Sequence, residues 1–382
     1  MQTAFTPLRA LAATLPLLAT TAWSQPAWQA CAAIGDAASR LACFDRWAES
    51  QRSAVAGQPV APSHAPAPLP AAPPPAAAVA ARAVQEAARG LRLTSEEGCR
   101  DTAYSELSRY WELERGAGCG TFGIRGFRPI EMAVVTADAI NRQPTSGNPE
   151  NNATSATDYR ITEARLQLSV RTKIAEGLLT RGSDERHDSL WFAYSQQSYW
   201  QIFTPQLSRP FRSTDHEPEF IYVLPLQSAD PGRWRLRYGG LGLVHQSNGQ
   251  SLPLSRSWNR AYVMAGAERG PWQLHAKVWR RAAEGGGDDN PGISDYVGRA
   301  ELRGVWHASR RHLLSATVRH SLDRPGRGSV RLEWFRALAD DGDGPVGGLQ
   351  LHTQLFTGYG DSLLDYNRRR TVLSVGLSLV EW

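Results

Sequence analysis

The chain has little lysine, no cysteine beyond Cys119, and no long apolar run once its first two dozen residues are past. Each shortage excludes something. Without a Cys/His cluster at zinc-finger spacing, a structural zinc is not expected. With no run of 18 or more apolar residues after the opening segment, there is no candidate membrane-spanning helix. The alanine-rich stretch from Pro68 to Val84 is broken by prolines and cannot act as one. The 42 basic and 37 acidic residues leave a net charge of +5, spread along the chain. No basic run is dense enough to argue for nucleic acid, and a solvated basic surface is the plain reading. These absences leave open a membrane barrel made of strands. Such a barrel hides its apolar residues in alternation, so a mean hydropathy of −0.39 is compatible with it.

What is present begins with an export signature. Met1 to Ser24 carries Arg9, then the apolar run LAATLPLLATTA, then Ala22-Trp23-Ser24. Small residues at −3 and −1 predict a secretory signal spanning 1–24, too short in its apolar part to be an anchor. Residues 25–53 read as a small helical segment, with Leu41, Phe44 and Trp47 on one face. Residues 54–88 are a Pro/Ala-rich linker that cannot bury a core. Residues 89–124 lead into a barrel expected over 125–382. Export exposes Cys31, Cys43, Cys99 and Cys119 to an oxidising compartment. Three connectivities are open, and pairing within each local couple (31–43, 99–119) is the expectation.

From about Arg125 the texture alternates polar with apolar residues, punctuated by Gly, Pro, Asp and Asn. Period two with such punctuation predicts half-buried strands. About twelve are counted, near 129–137, 158–172, 189–202, 217–228, 232–247, 257–267, 271–282, 295–307, 310–321, 328–338, 347–358 and 371–380. Many reach the length of roughly 9–11 residues that a tilted membrane strand needs. Their even number and the aromatic residues near their ends fit a twelve-stranded antiparallel transmembrane β-barrel. A soluble β-sandwich is the competing architecture. The terminal aromatic Trp382 suits a barrel, although it is out of phase with Leu373, Val375, Leu377 and Leu379.

Residues 238–260 read YGGLGLVHQSNGQSLPLSRSWNR. His245 and Ser247, two apart on a strand, share a face with Leu241 and Leu243. Trp234, Leu236 and Tyr238 have the opposite parity, so a bulge at Gly239-Gly240 is expected to switch phase. A hairpin to the next strand would bring Asn259 beside His245 on the outer surface. A neutral imidazole that takes a serine proton, oriented by a third group, suffices for nucleophilic acyl transfer. The spacing H-x-S alone is a weak signal, and most such pairs are ordinary strand residues.

The run HQSNGQSLPLSRSWNR is similar to the active-site signature of the outer membrane phospholipase A family. SYWQIF, SRPFRSTDHEPEF, DDNPGISDYVG and GYGDSLLDYN extend the resemblance over roughly residues 105–382. The resemblance implies a calcium-dependent outer-membrane enzyme, active as a homodimer, that hydrolyses acyl esters of phospholipids and lysophospholipids. It implies Ser247 as nucleophile, His245 as general base and acid, and Asn259 as the residue that orients His245. It also implies a Ca2+ held by the backbone of Gln250, the hydroxyl of Ser255 and the Ser208 backbone of the partner subunit. Leu252 stands where the family usually has Asp, which puts an auxiliary calcium site in doubt. Asp288 and Asp289 are candidates to assist the calcium, but read first as turn residues before Asn290-Pro291. Arg256 and Arg260 flank the site as candidates for lipid phosphate or as paired charges, and Trp200 and Phe211 near Ser208 as candidates for a dimer groove. The alternative function is a non-enzymatic outer-membrane pore or structural barrel.

Overall fold

The alternation resolves into a closed ring of strands in a computed structural model, which describes residues 31–32, 34–56, 98–180, 186–226, 233–338 and 348–380. The signal segment, most of the Pro/Ala linker and Trp382 lie outside the described residues. The N-terminal unit carries helix α1 (Ala37–Ala56), which ends three residues past the segment read from sequence. Both local disulfides form, Cys31–Cys43 and Cys99–Cys119.

The second unit is the barrel. A short strand β1 (Ile124–Gly126) is followed by β2 (Ile130–Ala137), β3 (Thr162–Glu176), β4 (Ser189–Trp200), β5 (Ser213–Pro225), β6 (Arg235–Ser247) and β7 (Ser257–Arg269). Then come β8 (Trp272–Arg281), β9 (Ala300–Ser309), β10 (His312–His320), β11 (Gly328–Ala337), β12 (Gly348–Gly358) and β13 (Arg370–Val380). Each of β2 to β13 pairs antiparallel with its sequence neighbour, and β13 pairs with β2 to close twelve strands. The twelve expected strands are all present. β9 starts later than expected because Ile293–Val297 forms a helical turn, and β1 pairs with β3 beside the ring.

The two faces are inverted relative to a water-soluble protein. Met132, Val134, Leu241, Leu243, Val263, Leu373, Val375 and Leu377 all point outward and are about half exposed or more. An aliphatic wall of that extent is unstable against water and requires a hydrocarbon solvent. Inward-facing positions are instead charged and paired. Arg165 and Glu131, both fully buried, meet at 2.9 Å.

The lead-in segment, read from sequence only as a connection, fills part of the lumen. Helix α2 (Glu106–Trp111) is capped by Ser105. It buries Leu107 and Trp111, and the Trp111 ring lies edge-on to Trp191 at 6.0 Å and tilted against Tyr238 at 5.7 Å.

At the opposite end, which carries the longer loops, Glu163 receives Arg212 through two hydrogen bonds of 2.7 and 2.9 Å. Arg370 reaches Asp365 at 2.6 Å in the same buried cluster. Burial alone would raise the Asp365 carboxyl, but Arg212 and Arg370 outweigh it and hold it below the usual carboxylate range. Its contribution to stability is complete above the unfolded value of about 3.9 and is lost as pH falls through its folded value. Glu163→Ala would take from the buried Arg212 its two closest acceptors and leave Arg212 and Arg370 sharing Asp365, and a loss of about 3 kcal/mol is expected in urea unfolding from lipid vesicles. A loss below about 1 kcal/mol would mean that the arginines find water instead.

Candidate active site

The site lies at the loop end of the β6–β7 hairpin, on the outer wall. The phase of β6 switches as expected, but the irregularity lies between Leu236 and Tyr238, not at Gly239-Gly240. Leu236 faces out and Tyr238 faces in, and from Leu241 onward odd-numbered residues face out again. Gly240 instead lies against Met264, whose side chain a Cβ there would overlap, and two other glycines serve the packing of the hairpin. A Cβ at Gly242 would overlap the Tyr262 ring, and one at Gly266 the Tyr238 ring, so these glycines make room for inward aromatics on the facing strand.

With that phase set, His245 pairs directly across from Asn259, and Ser247 from Ser257. His245 and Asn259 are exposed and Ser247 is half-buried. The His245 Nδ1 lies 2.9 Å from Asn259 Oδ1. The amide orientation follows from its other end. Asn259 Nδ2 donates to Glu284 Oε1 at 3.1 Å, and a carboxylate can only accept. Oδ1 therefore faces the ring, Nδ1 carries the proton, and the Nε2 lone pair is left free to accept one.

The loop from Asn248 to Arg256 is organised from within by Asn248, which is buried. Its Oδ1 accepts from the backbone N–H of Gln250 at 3.3 Å and of Arg256 at 2.9 Å. Its Nδ2 donates to the Leu254 carbonyl at 2.7 Å. Gly249 takes the left-handed backbone (φ 61°) that the turn requires. Gln250 turns its side chain toward the Arg212 carbonyl, tying the loop to the buried ion cluster.

Ser255 Oγ donates to Asp289 Oδ2 at 2.6 Å, and Asn151 Nδ2 bridges the Ser255 carbonyl and Asp289 Oδ1. Asp289 is thus part of the site rather than only a turn residue. Asp288 does serve the turn, accepting from the Asn290 N–H, and pairs with Arg281. Leu252 is exposed and its side chain offers no oxygen. Ser208 is placed on the adjacent β4–β5 loop, where its carbonyl accepts from the Trp200 indole at 2.8 Å and Trp200 packs edge-on against Phe211.

Of the two readings of Arg256 and Arg260, lipid phosphate is corrected for both and paired charge holds for Arg260. Arg256 is fully buried and bound to the carbonyls of Asn151 and Ser255, and Arg260 faces the lumen and pairs with Glu217. Neither presents its charge at the outer rim for a lipid phosphate. Below His245, the outer wall carries an apolar groove lined by Phe220, Leu241, Leu243, Val263 and Val278.

Sequence reasoning missed Asn151, Asn248 and Glu284. The Asn248-Gly249 dipeptide is a turn signal that could have flagged the second.

Known proteins share this arrangement of chain. Residues 107–379 match a family model described as Phospholipase A1. A putative phospholipase A1 of Neisseria meningitidis is 34% identical over 356 residues, covering 91% of this chain and 89% of the relative. Phospholipase A1 of Escherichia coli is 34% identical over 224 residues, 59% of this chain and 72% of its own. Among solved structures, outer membrane phospholipase A from Escherichia coli is similar with a TM-score of 0.57 at 29% identity, covering 68% of this chain and 94% of that one. A dimer of the Salmonella typhi outer membrane phospholipase with bound calcium has a TM-score of 0.57 at 29% identity, covering 68% and 92%.

Proposed function

Because this chain belongs to the phospholipase A1 family, we propose that it cleaves acyl esters of membrane phospholipids and lysophospholipids with Ser247, His245 and Asn259 as its triad. It is an outer-membrane phospholipase, an ester hydrolase on a β-barrel. The observation that carries the assignment of residues is the 2.9 Å contact between His245 and Asn259, beside Ser247 on the lipid-facing wall.

The chemistry follows from that geometry. His245 Nε2 takes the Ser247 Oγ proton as the oxygen attacks the ester carbonyl carbon. The tetrahedral intermediate collapses, His245 returns the proton to the departing lysolipid or glycerol oxygen, and an acyl-Ser247 ester remains. Water, deprotonated by His245, then attacks that ester and frees the fatty acid. Asn259 holds the imidazole in the tautomer that both halves need. The apolar groove beneath the site offers hydrocarbon contact to the acyl chain.

Calcium fits the donors available. The Ser255 hydroxyl, the Gln250 carbonyl and the Ser208 carbonyl of the partner subunit are hard oxygen ligands, as this ion prefers. The Ser255 hydroxyl is held by the Asp289 carboxylate, which adds negative charge beside it. The Ser208 carbonyl has a second lone pair beyond its bond to Trp200. Gln250 would contribute only backbone, so the identity of its side chain is immaterial. When bound, the ion supplies positive charge to a developing oxyanion. The calcium-bound Salmonella typhi dimer supports both the metal and the pairing of subunits.

A serine-directed sulfonyl fluoride tests the nucleophile without relying on turnover. The serine oxygen should displace fluoride and leave a sulfonate ester at Ser247, located by mass spectrometry of the peptide. Labelling spread over other serines, with Ser247 unmodified, would contradict the assignment.

A further inference from the structure

One carboxylate on the outer rim takes no part in the chemistry above. Glu284 lies in the turn after β8, and its Oε1 accepts from both the backbone N–H and the Nδ2 of Asn259, each at 3.1 Å. Its Oε2 is held by Arg281 at 3.0 Å, and Arg281 is itself fixed by Asp288 at 2.6 Å. The Ala282 N–H donates back to the Asn259 carbonyl at 2.8 Å. Asn259 is therefore clasped through both backbone groups and its amide nitrogen.

An amide has two ends of nearly equal shape. Only its oxygen end suits a histidine protonated at Nδ1. The flipped amide would present N–H to Nδ1 and impose the tautomer protonated at Nε2, which cannot accept the serine proton. That flip would also turn the amide oxygen against the Glu284 carboxylate, a repulsive contact between two acceptors. We infer that Glu284 is a positioning residue, which locks the Asn259 amide and through it the tautomer and ring orientation of His245. An amide orienter leaves a forming imidazolium less compensated than a carboxylate would, and Glu284 places negative charge one group behind it. Arg281 shares that charge, so orientation is the main effect. The inference rests on the triad reading above.

The test is a double-mutant cycle on the detergent-solubilised full chain, with fatty-acid release from phospholipid micelles in calcium as readout. Glu284→Ala should lower kcat on the order of tenfold, the size of one lost charge-assisted hydrogen bond, with KM changed less than about twofold. Glu284→Gln, which still offers an acceptor, should lose less. In an Asn259→Ala background neither substitution should change kcat by more than about twofold, because the group they act through is gone. Heat-modifiable migration on gels verifies that each variant is folded. Glu284→Ala with unchanged kcat, or losses at Glu284 and Asn259 that multiply, would overturn the inference. Ser247→Ala run in parallel separates the two levels. Activity surviving in that variant would sink the triad reading itself, whereas an inactive Ser247→Ala beside a fully active Glu284→Ala would remove only the role of Glu284.

Discussion

Ser247→Ala should leave a folded, heat-modifiable barrel whose fatty-acid release has fallen by about 10⁴-fold or more. The substitution removes one oxygen from a half-buried rim position opposite Ser257, so nothing in the strand pairing should suffer. The chemistry loses its acyl acceptor, and no other serine stands two residues from His245 on that face. His245 could still activate water, but water brings neither the proximity nor the fixed orientation that a tethered hydroxyl supplies. Hydrolysis of micellar phospholipid within tenfold of the parent protein would assign the nucleophile elsewhere. The same variant should also resist the sulfonyl fluoride, which links the loss of rate to the loss of one reactive atom.

Chelation of calcium is expected to have the second largest effect, a fall of about 10²–10³-fold in kcat, the range seen when one oxyanion stabiliser is removed. The Ser247–Ser257 turn offers the developing negative charge little compensation of its own. Arg256 and Arg260, the nearest cations in sequence, face the interior and are bound there. Readdition of calcium should restore the rate. Ser255→Ala should raise the calcium concentration needed for half-maximal activity, since it deletes one proposed ligand and leaves Asp289 without its hydroxyl partner. Unchanged turnover in chelator would show that protein groups alone carry the oxyanion.

The barrel was legible in the sequence because membrane strands obey one rule, alternation against lipid, and that rule is local. It located all twelve strands, and it located the rim on which His245, Ser247 and Asn259 meet. Parity also held information left unused. If Asn259 faces lipid, then Arg260 must face the lumen, so its reading as a phosphate contact was excluded by the same alternation that placed its neighbour. The lumen helix was not legible, because six residues at Glu106–Trp111 are too few for a periodic signal, and their burial depends on aromatic partners such as Trp191 and Tyr238. Glu284 was hidden, and Asp289 read first as a turn residue, for a different reason. Each reaches the site only because the β8–β9 loop folds back over the β6–β7 hairpin, a long-range placement that no spacing encodes. The bulge near Leu236 was expected a few residues later, since glycines mark bulges often, but Gly240 instead gives room to the Met264 side chain.

His245 and Asn259 sit on the outer wall, at the top of the aliphatic belt. For an enzyme so placed the substrate is also the solvent. Lipid is always at saturating density around the barrel, and a change in affinity would alter the rate very little. Restraint must therefore act on whether a lipid ester can rise to the rim and whether the site is complete when it arrives. A quiescent membrane, in which headgroups stay at their own level, would keep such a hydrolase idle without any inhibitor.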